Sequence, residues 1–165
     1  MEHDPSDPEH ILASSCCKHY VANSVEMSTE NGLTWNRFEI NSVVTEQDLV
    51  DSYMPAFQSC VEKGRVSGLM CSLNAVNGVP ACANSWLMND VARKDWGFDG
   101  YVSTDCDGYA QSYEYHKNTF NATPEEGVRD MIRAVSITKG FNFYKKIEIR
   151  REKEIAPPLS ILILC

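Results

Sequence analysis

Three short apolar runs, each closing on polar residues and each parted from the next by a stretch of helical periodicity, constrain this chain more than any other feature. The first is Ile11 to Val21 (ILASSCCKHYV), apolar and small until Lys18 and His19, and it has the character of a strand buried on both faces. The second runs from Val66 to Leu73 and ends in Asn74-Ala75-Val76-Asn77-Gly78-Val79-Pro80, where Asn-Gly and Pro mark a loop. The third, Tyr101-Val102-Ser103-Thr104, follows a turn bracketed by Gly97 and Gly100 and delivers Asp105.

Helix signals fill the gaps. Thr45 is placed to cap Glu46-Gln47-Asp48, which sets acids in a first turn. Leu49, Val50, Tyr53, Met54, Phe57, Cys60 and Val61 then recur at helical spacing, with Pro55 predicting a kink and Gly64 a stop. Asn84 is placed to cap a short helix through Leu87 and Val91. Thr123-Pro124-Glu125-Glu126 is a helix start of the capping-box kind, and the helix is expected to bury Val128, Met131, Ile132 and Val135. Alternation of strand and helix implies parallel strands and an α/β fold. In barrels of this class, polar groups at the carboxyl ends of strands line the site. Here those ends carry Lys18-His19, Met70-Cys71-Ser72 and Asp105.

A length of 165 residues suits one domain. The net charge of −8 argues against nucleic acid as a partner, which needs a positive footprint. No basic segment followed by an apolar one opens the chain. The longest apolar run, Leu159 to Cys165 around Ser160, is too short to span a bilayer, so no membrane partner is expected. Seven cysteines without a C-x-x-C pair point to an oxidising compartment rather than zinc. Cys71 and Cys82 flank the Asn-Gly-Val-Pro loop at a spacing short enough to close as a disulfide, with two separate buried thiols as the alternative. Asn121-Ala122-Thr123 is a glycosylation sequon. From residue 136 the chain changes character, to a Lys- and Glu-rich stretch with Pro157-Pro158 and an apolar end.

Taken residue by residue, the chemistry stays open. Lys18-His19 could hold an oxygen-rich ligand or be an ordinary polar pair at a strand end. Asp105, two residues before Asp107-Gly108, could be a catalyst, a metal ligand or a turn former. Met70 alone is a core residue. The chain has no G-x-x-x-x-G-K-[ST], no H-E-x-x-H and no G-x-S-x-G.

Four stretches, however, resemble glycoside hydrolase family 3 in that family's order and spacing. They are Cys17 to Asn23 (CKHYVAN), Val43 to Val61 (VVTEQDLVDSYMPAFQSCV), Leu69 to Pro80 (LMCSLNAVNGVP) and Trp96 to Asp107 (WGFDGYVSTDCD). The resemblance covers roughly residues 5 to 135. It implies a (β/α)8 barrel of TIM type, of which this chain would hold about three β/α units over 1–135, with 136–165 a divergent tail. It implies that Asp105 is the nucleophile of a retaining exo-acting β-glycosidase working through a covalent glycosyl-enzyme. Lys18 and His19 would bind the hydroxyls of the terminal sugar, and Met70 would lie against it. Cys106 after the nucleophile is similar to the β-xylosidase branch. The implied partner is a β-linked oligosaccharide, with no cofactor and no metal. The parent family is secreted, and it brings its acid/base Glu from a later domain.

Two departures stand out. Leu73 occupies a position where the family commonly has Tyr, which removes a hydrogen-bond donor near Asp105, and Thr104 replaces Ser. With only one carboxylate assigned, the 165 residues alone are not expected to turn over substrate, and a non-catalytic sugar-binding remnant is the alternative. Glu26, Glu30 and Glu39 are nearby candidates in sequence for the second carboxylate, with no physical argument favouring any of them.

Overall fold

The computed structural model describes residues 2–4, 6–11, 13–116 and 123–136; Asn121 and nearly all of the tail expected over 136–165 lie outside them. Helices and strands are mixed, with a three-stranded parallel sheet at the centre. A short antiparallel pair, β1 (His3–Asp4) and β2 (Asp7–Ile11), precedes the first central strand, β3 (Cys16–Tyr20). A hairpin follows, β4 (Met27–Glu30) and β5 (Leu33–Asn36), and then β6 (Asn41–Ser42). The second central strand is β7 (Gly68–Cys71), followed by the short β8 (Ala75–Val76) and β9 (Val79–Pro80). The third is β10 (Tyr101–Thr104). The central sheet has the order β10-β7-β3, both pairings parallel, with Tyr101 and Cys16 each opposite Gly68.

The run Ile11–Val21 is therefore not one strand. Ile11 belongs to β2, the chain bends at Ala13, and β3 starts only at Cys16. The reason is a carboxylate at the foot of the sheet. Glu2, 4% exposed, accepts the Ser15 N–H at 2.5 Å and the Ser67 N–H at 2.9 Å, and also takes the Ser67 hydroxyl. Ser14-Ser15 is thus the entry to the strand. Burial by itself would raise the Glu2 carboxyl, but these donors together hold it at about 2.

The sheet is also not buried on both faces. Leu69 and Cys71 are fully covered, and Cys17 and Val102 pack against the same core. The other face, with Cys16, Met70 and Ser103, is half-buried, and Tyr101 is exposed. Close packing along the strands is tight where glycine allows it: a Cβ on Gly68 would sit 2.6 Å from the Tyr101 ring.

The crossover between β3 and β7 is helical. Thr45 Oγ1 accepts the Asp48 N–H at 3.0 Å and starts α1 (Glu46–Asp48). The expected break at Pro55 takes the form of a wide turn, Leu49–Tyr53, closed by Met54 N–H to the Leu49 carbonyl at 2.8 Å. Pro55 then opens α2 (Pro55–Glu62), where its missing N–H costs nothing. The helix ends at Glu62 with Lys63 as its C-cap, so Gly64 stands just past the end, and it is Arg65 that takes the left-handed φ of +50°. Gly64 serves close approach instead, since a Cβ there would be 2.6 Å from the Cys60 carbonyl oxygen.

Between β7 and β10, Asn84 Oδ1 accepts the Leu87 N–H at 3.2 Å and caps a second wide helix, Trp86–Asp95. Leu87, Met88 and Ala92 are fully buried in it. After β10 come α3 (Gly108–Glu114) and α4 (Pro124–Ser136). The capping box at Thr123 forms, Thr123 N–H to Glu126 at 2.9 Å and Glu126 N–H to Thr123 Oγ1 at 3.3 Å. The buried stripe of α4 is Gly127, Met131 and Ala134, and Val128 faces outward. Small residues win that face because the helix seats closely on its neighbours, with Gly127 against Tyr113.

Tyr20 ties the layers together. Its ring meets Phe57 of α2 and Trp96 at centroid distances of 5.1 and 5.7 Å, and its hydroxyl donates to the Leu87 carbonyl at 3.1 Å. A Cys17–Cys60 disulfide pins α2 to β3, and a Cys71–Cys82 disulfide, Cα atoms 5.1 Å apart, closes the loop beyond β7.

Candidate active site

Parallel strands carry their carboxyl ends to one edge of the sheet, and two ionisable side chains meet there. Asp105 leaves the end of β10, its own N–H bonded to the Cys71 carbonyl of β7 at 3.3 Å. It is 9% exposed. One carboxylate oxygen, Oδ1, accepts the Cys106 N–H at 2.7 Å. The other, Oδ2, lies 3.3 Å from His19 Nε2 of β3. The turn that follows is built for this exit: the Asp105 carbonyl accepts the Gly108 N–H at 2.9 Å, and Asp107 takes a left-handed φ of +58°. A Cβ on Gly108 would be 2.9 Å from Thr104, so the helix α3 can begin tight against the strand only with glycine there.

His19 is held near the end of β3, where the peptide bonds Lys18-His19 and Tyr20-Val21 are both cis and the register to β7 shifts between Cys17 and Tyr20. Lys18 is exposed, and its ammonium makes no hydrogen bond or ion pair among the described residues. Met70 lies on the half-open face of the sheet, opposite Ser103 in register. The structure thus brings His19 and Asp105 together and leaves Lys18 and Met70 accessible beside the same strand ends.

Behind this edge two buried polar side chains bond back to the strand, although Asn74 Oδ1 has no partner among the described residues. Ser72 Oγ donates to the Val21 carbonyl at 3.1 Å, and Asn74 Nδ2 donates to the same oxygen at 3.2 Å. Leu73, 4% exposed, fits beneath the start of α3, 3.5 Å from where a Cβ on Gly108 would stand. An apolar side chain there packs and gives Asp105 no donor. One residue that the sequence reading did not single out is His116. It is 2% exposed, and its Nε2–H donates to the Leu73 carbonyl at 2.9 Å. Burial lowers its pKa, against the opposing pull of that carbonyl and of Glu39, so the ring is favoured as neutral imidazole. No strand-end pattern marks it, since it follows α3.

The sequence neighbours of the Lys-His pair do not reach Asp105. Glu26 is bonded to Arg37 at 3.3 Å and to Asn23 at 3.4 Å, and Glu30 and Glu39 are exposed. No group of His, Cys, Asp and Glu among the described residues is arranged to hold a metal ion, and no described helix is long and apolar enough to cross a membrane.

A parallel α/β sheet with a histidine–carboxylate pair at its carboxyl edge is the class that fold and site define. Within that class, the chain belongs to glycosyl hydrolase family 3: the model of that family's N terminal domain matches residues 8–134. The chain is 46% identical over 124 residues to a probable beta-D-xylosidase 6 of Arabidopsis thaliana, covering 75% of this chain and 15% of that protein. It is 40% identical over 134 residues to beta-D-xylosidase 3 of the same plant, covering 81% and 17%. Among solved structures it superposes on a GH3 exo-beta-xylosidase, XlnD, in complex with a xylobiose aziridine probe. That match has a TM-score of 0.69 at 32% identity and covers 78% of this chain and 16% of the other. A beta-glucosidase from Listeria innocua in complex with isofagomine gives a TM-score of 0.59 at 29% identity, covering 73% and 15%. The chain thus spans about one sixth of the length of these relatives.

Proposed function

We propose that this chain carries the sugar-holding half of a retaining β-glycosidase site of β-xylosidase type, with Asp105 as nucleophile. The observation that supports it most is the 3.3 Å approach of His19 to Asp105 across strand ends 86 residues apart in sequence. In this reading β3, β7 and β10 are consecutive strands of a (β/α)8 barrel, and the half-open face of the sheet is its interior. The substrate is the terminal unit of a β-linked oligosaccharide.

Asp105 acts as the carboxylate. Its Oδ1 is already committed to the Cys106 N–H, so Oδ2 is the attacking oxygen. It forms a bond to the anomeric carbon as the bond to the leaving oxygen breaks, and the leaving oxygen takes its proton from a second carboxyl group. Water, deprotonated by that same group, then attacks the anomeric carbon and frees Asp105. Such pairs stand roughly 5–5.5 Å apart in retaining enzymes. His19 and Lys18 donate to sugar hydroxyls, bonds that strengthen as positive charge develops on the ring. Met70 offers an apolar wall. The two disulfides support an oxidising, extracytoplasmic setting.

A fluorinated aryl xyloside with a dinitrophenolate leaving group tests the assignment, because such a leaving group departs without acid assistance. Incubation with the protein should leave a covalent pentosyl adduct on the peptide containing Asp105, read by mass spectrometry. Label on a different carboxylate, or equal labelling of Asp105→Ala, overturns the proposal. Unactivated glycosides should lag activated ones by about 10²–10⁴-fold as long as no second carboxyl reaches the leaving oxygen.

A further inference from the structure

The hairpin and the segment after it form a second, separate concavity. An open cleft of about 400 Å³ is lined by Val25, Ser28, Trp35, Glu39, Ile40 and Asn41. Ser28 and Trp35 are directly opposite in the β4–β5 register, so they share one face of the hairpin, and Trp35 is 40% exposed. Three polar side chains, Ser28, Glu39 and Asn41, line the same cleft as this indole. The Asn41 side-chain oxygen Oδ1 accepts the Gly78 N–H at 2.7 Å, which orients the amide, and its NH₂ group has no partner among the described residues. The Glu39 carboxylate and the Ser28 hydroxyl also have no hydrogen-bond partner among the described residues.

An accessible indole plate with one oriented donor, one carboxylate acceptor and one hydroxyl beside it is the chemistry that recognises a sugar ring. The apolar C–H face of a pyranose lies on the aromatic plane, and adjacent hydroxyls need both donors and acceptors. The shallowness of the cleft suits an extended chain of sugars better than a buried small molecule. Its position suits the same ligand as the strand-end site. The hairpin follows the carboxyl end of β3, with β4 starting at Met27 after the turn at Val21-Ala22. Asn41 opens β6, which pairs with β8 just past the carboxyl end of β7, and Ala75 N–H reaches the Ile40 carbonyl at 2.9 Å. Phe38 packs on Tyr115, which follows α3, at 5.8 Å between centroids. Segments leaving β3 and β7 therefore meet at this cleft, and the one leaving β10 packs on Phe38 beside its lining residue Glu39.

We propose that the Trp35 cleft is a second sugar-binding subsite, taking a further unit of a β-linked oligosaccharide whose terminal unit sits at Asp105. The proposal rests on the glycosidase reading for the identity of the chain of sugars, but not for the existence of the subsite. Titration of ¹⁵N-labelled protein with xylose, xylobiose and xylotriose separates the two. Trp35 contributes one of three tryptophan indole N–H signals. It should shift on xylotriose addition, with affinity rising along the series. Trp35→Ala should lower the xylotriose-to-xylose affinity ratio about two- to tenfold, and Trp35→Phe should recover part of it. Glu39→Ala, at an exposed and unbonded side chain, should lower the same ratio with the fold intact. An indole signal of Trp35 unmoved by xylotriose, or a ratio unchanged in both Trp35→Ala and Glu39→Ala, overturns the subsite. If His19→Ala leaves xylose binding unaltered while the Trp35 signal still moves, it is the strand-end reading that falls.

Discussion

The central sheet and the β4–β5 hairpin are both small hydrogen-bonded ladders rich in apolar side chains, yet they treat those side chains oppositely. In the sheet, Tyr20, Leu69 and Cys71 are fully buried. In the hairpin, Met27 is 74% exposed, Leu33 62% and Trp35 40%. The difference lies in the connections. Parallel strands can be joined only by long crossovers, and here these are helices that return across the sheet and cover one face. Antiparallel strands close through two residues, Asn31-Gly32 at φ +52° and +78°, and bring no cover with them. What decides burial is therefore what lies between strands in sequence. The same contrast separates the two candidate binding regions: the sheet offers a preset His19–Asp105 pair, and the hairpin an accessible aromatic surface with unbonded polar groups.

Substitutions on either side of this contrast should differ widely in cost. The largest effect is expected from Leu69→Ala in the fully buried strand β7, about 2–5 kcal/mol of unfolding free energy in a urea titration. A loss below 1 kcal/mol would mean that the sheet is not the stability core. Removing the Cys71–Cys82 bridge as Cys71→Ala/Cys82→Ala should cost about 2–4 kcal/mol, and reduction by dithiothreitol should bring the unsubstituted chain toward the same midpoint. Glu2→Gln should cost about 1–3 kcal/mol, since the Ser15 and Ser67 donors would lose a charged acceptor.

That residue also sets a pH signature. The Glu2 carboxyl is held at about 2 in the fold against an ordinary value of 4.5, so the unfolded chain binds its proton more readily. Its contribution is complete above about pH 4.5 and fades as pH falls toward 2, and Glu2→Gln should flatten the stability profile across that interval only. The smallest effect belongs to the hairpin. Met27→Ser should stay within about 0.5 kcal/mol of the unsubstituted chain, and a larger loss would show that something covers Met27 in solution.

Much of the framework was legible because it is encoded over a few residues. The caps at Thr45, Asn84 and Thr123, the break at Pro55 and the third strand at Tyr101–Thr104 depend on neighbours within a turn or on alternation within a strand. The β4–β5 hairpin was not among the elements expected, because its strands are exposed nearly throughout and lack the alternating burial that draws attention to a strand. The first strand was placed too early because Ile11 to Val21 is continuously apolar, and only the long-range Glu2 carboxylate shows where the ladder begins.

By itself, then, the sequence determined the strand and helix alternation, the polar residues at each strand end and the family. The tertiary structure alone decided that His19 lies 3.3 Å from Asp105 while Lys18 stays exposed, that Cys17 bridges to Cys60, and that His116 is buried beneath Leu73. Each of these joins positions 43 or more residues apart, through strand register and helix seating. Local propensities act over a turn of chain, whereas register is set by the packing of whole elements, so the partners of these residues exist only once the sheet has formed.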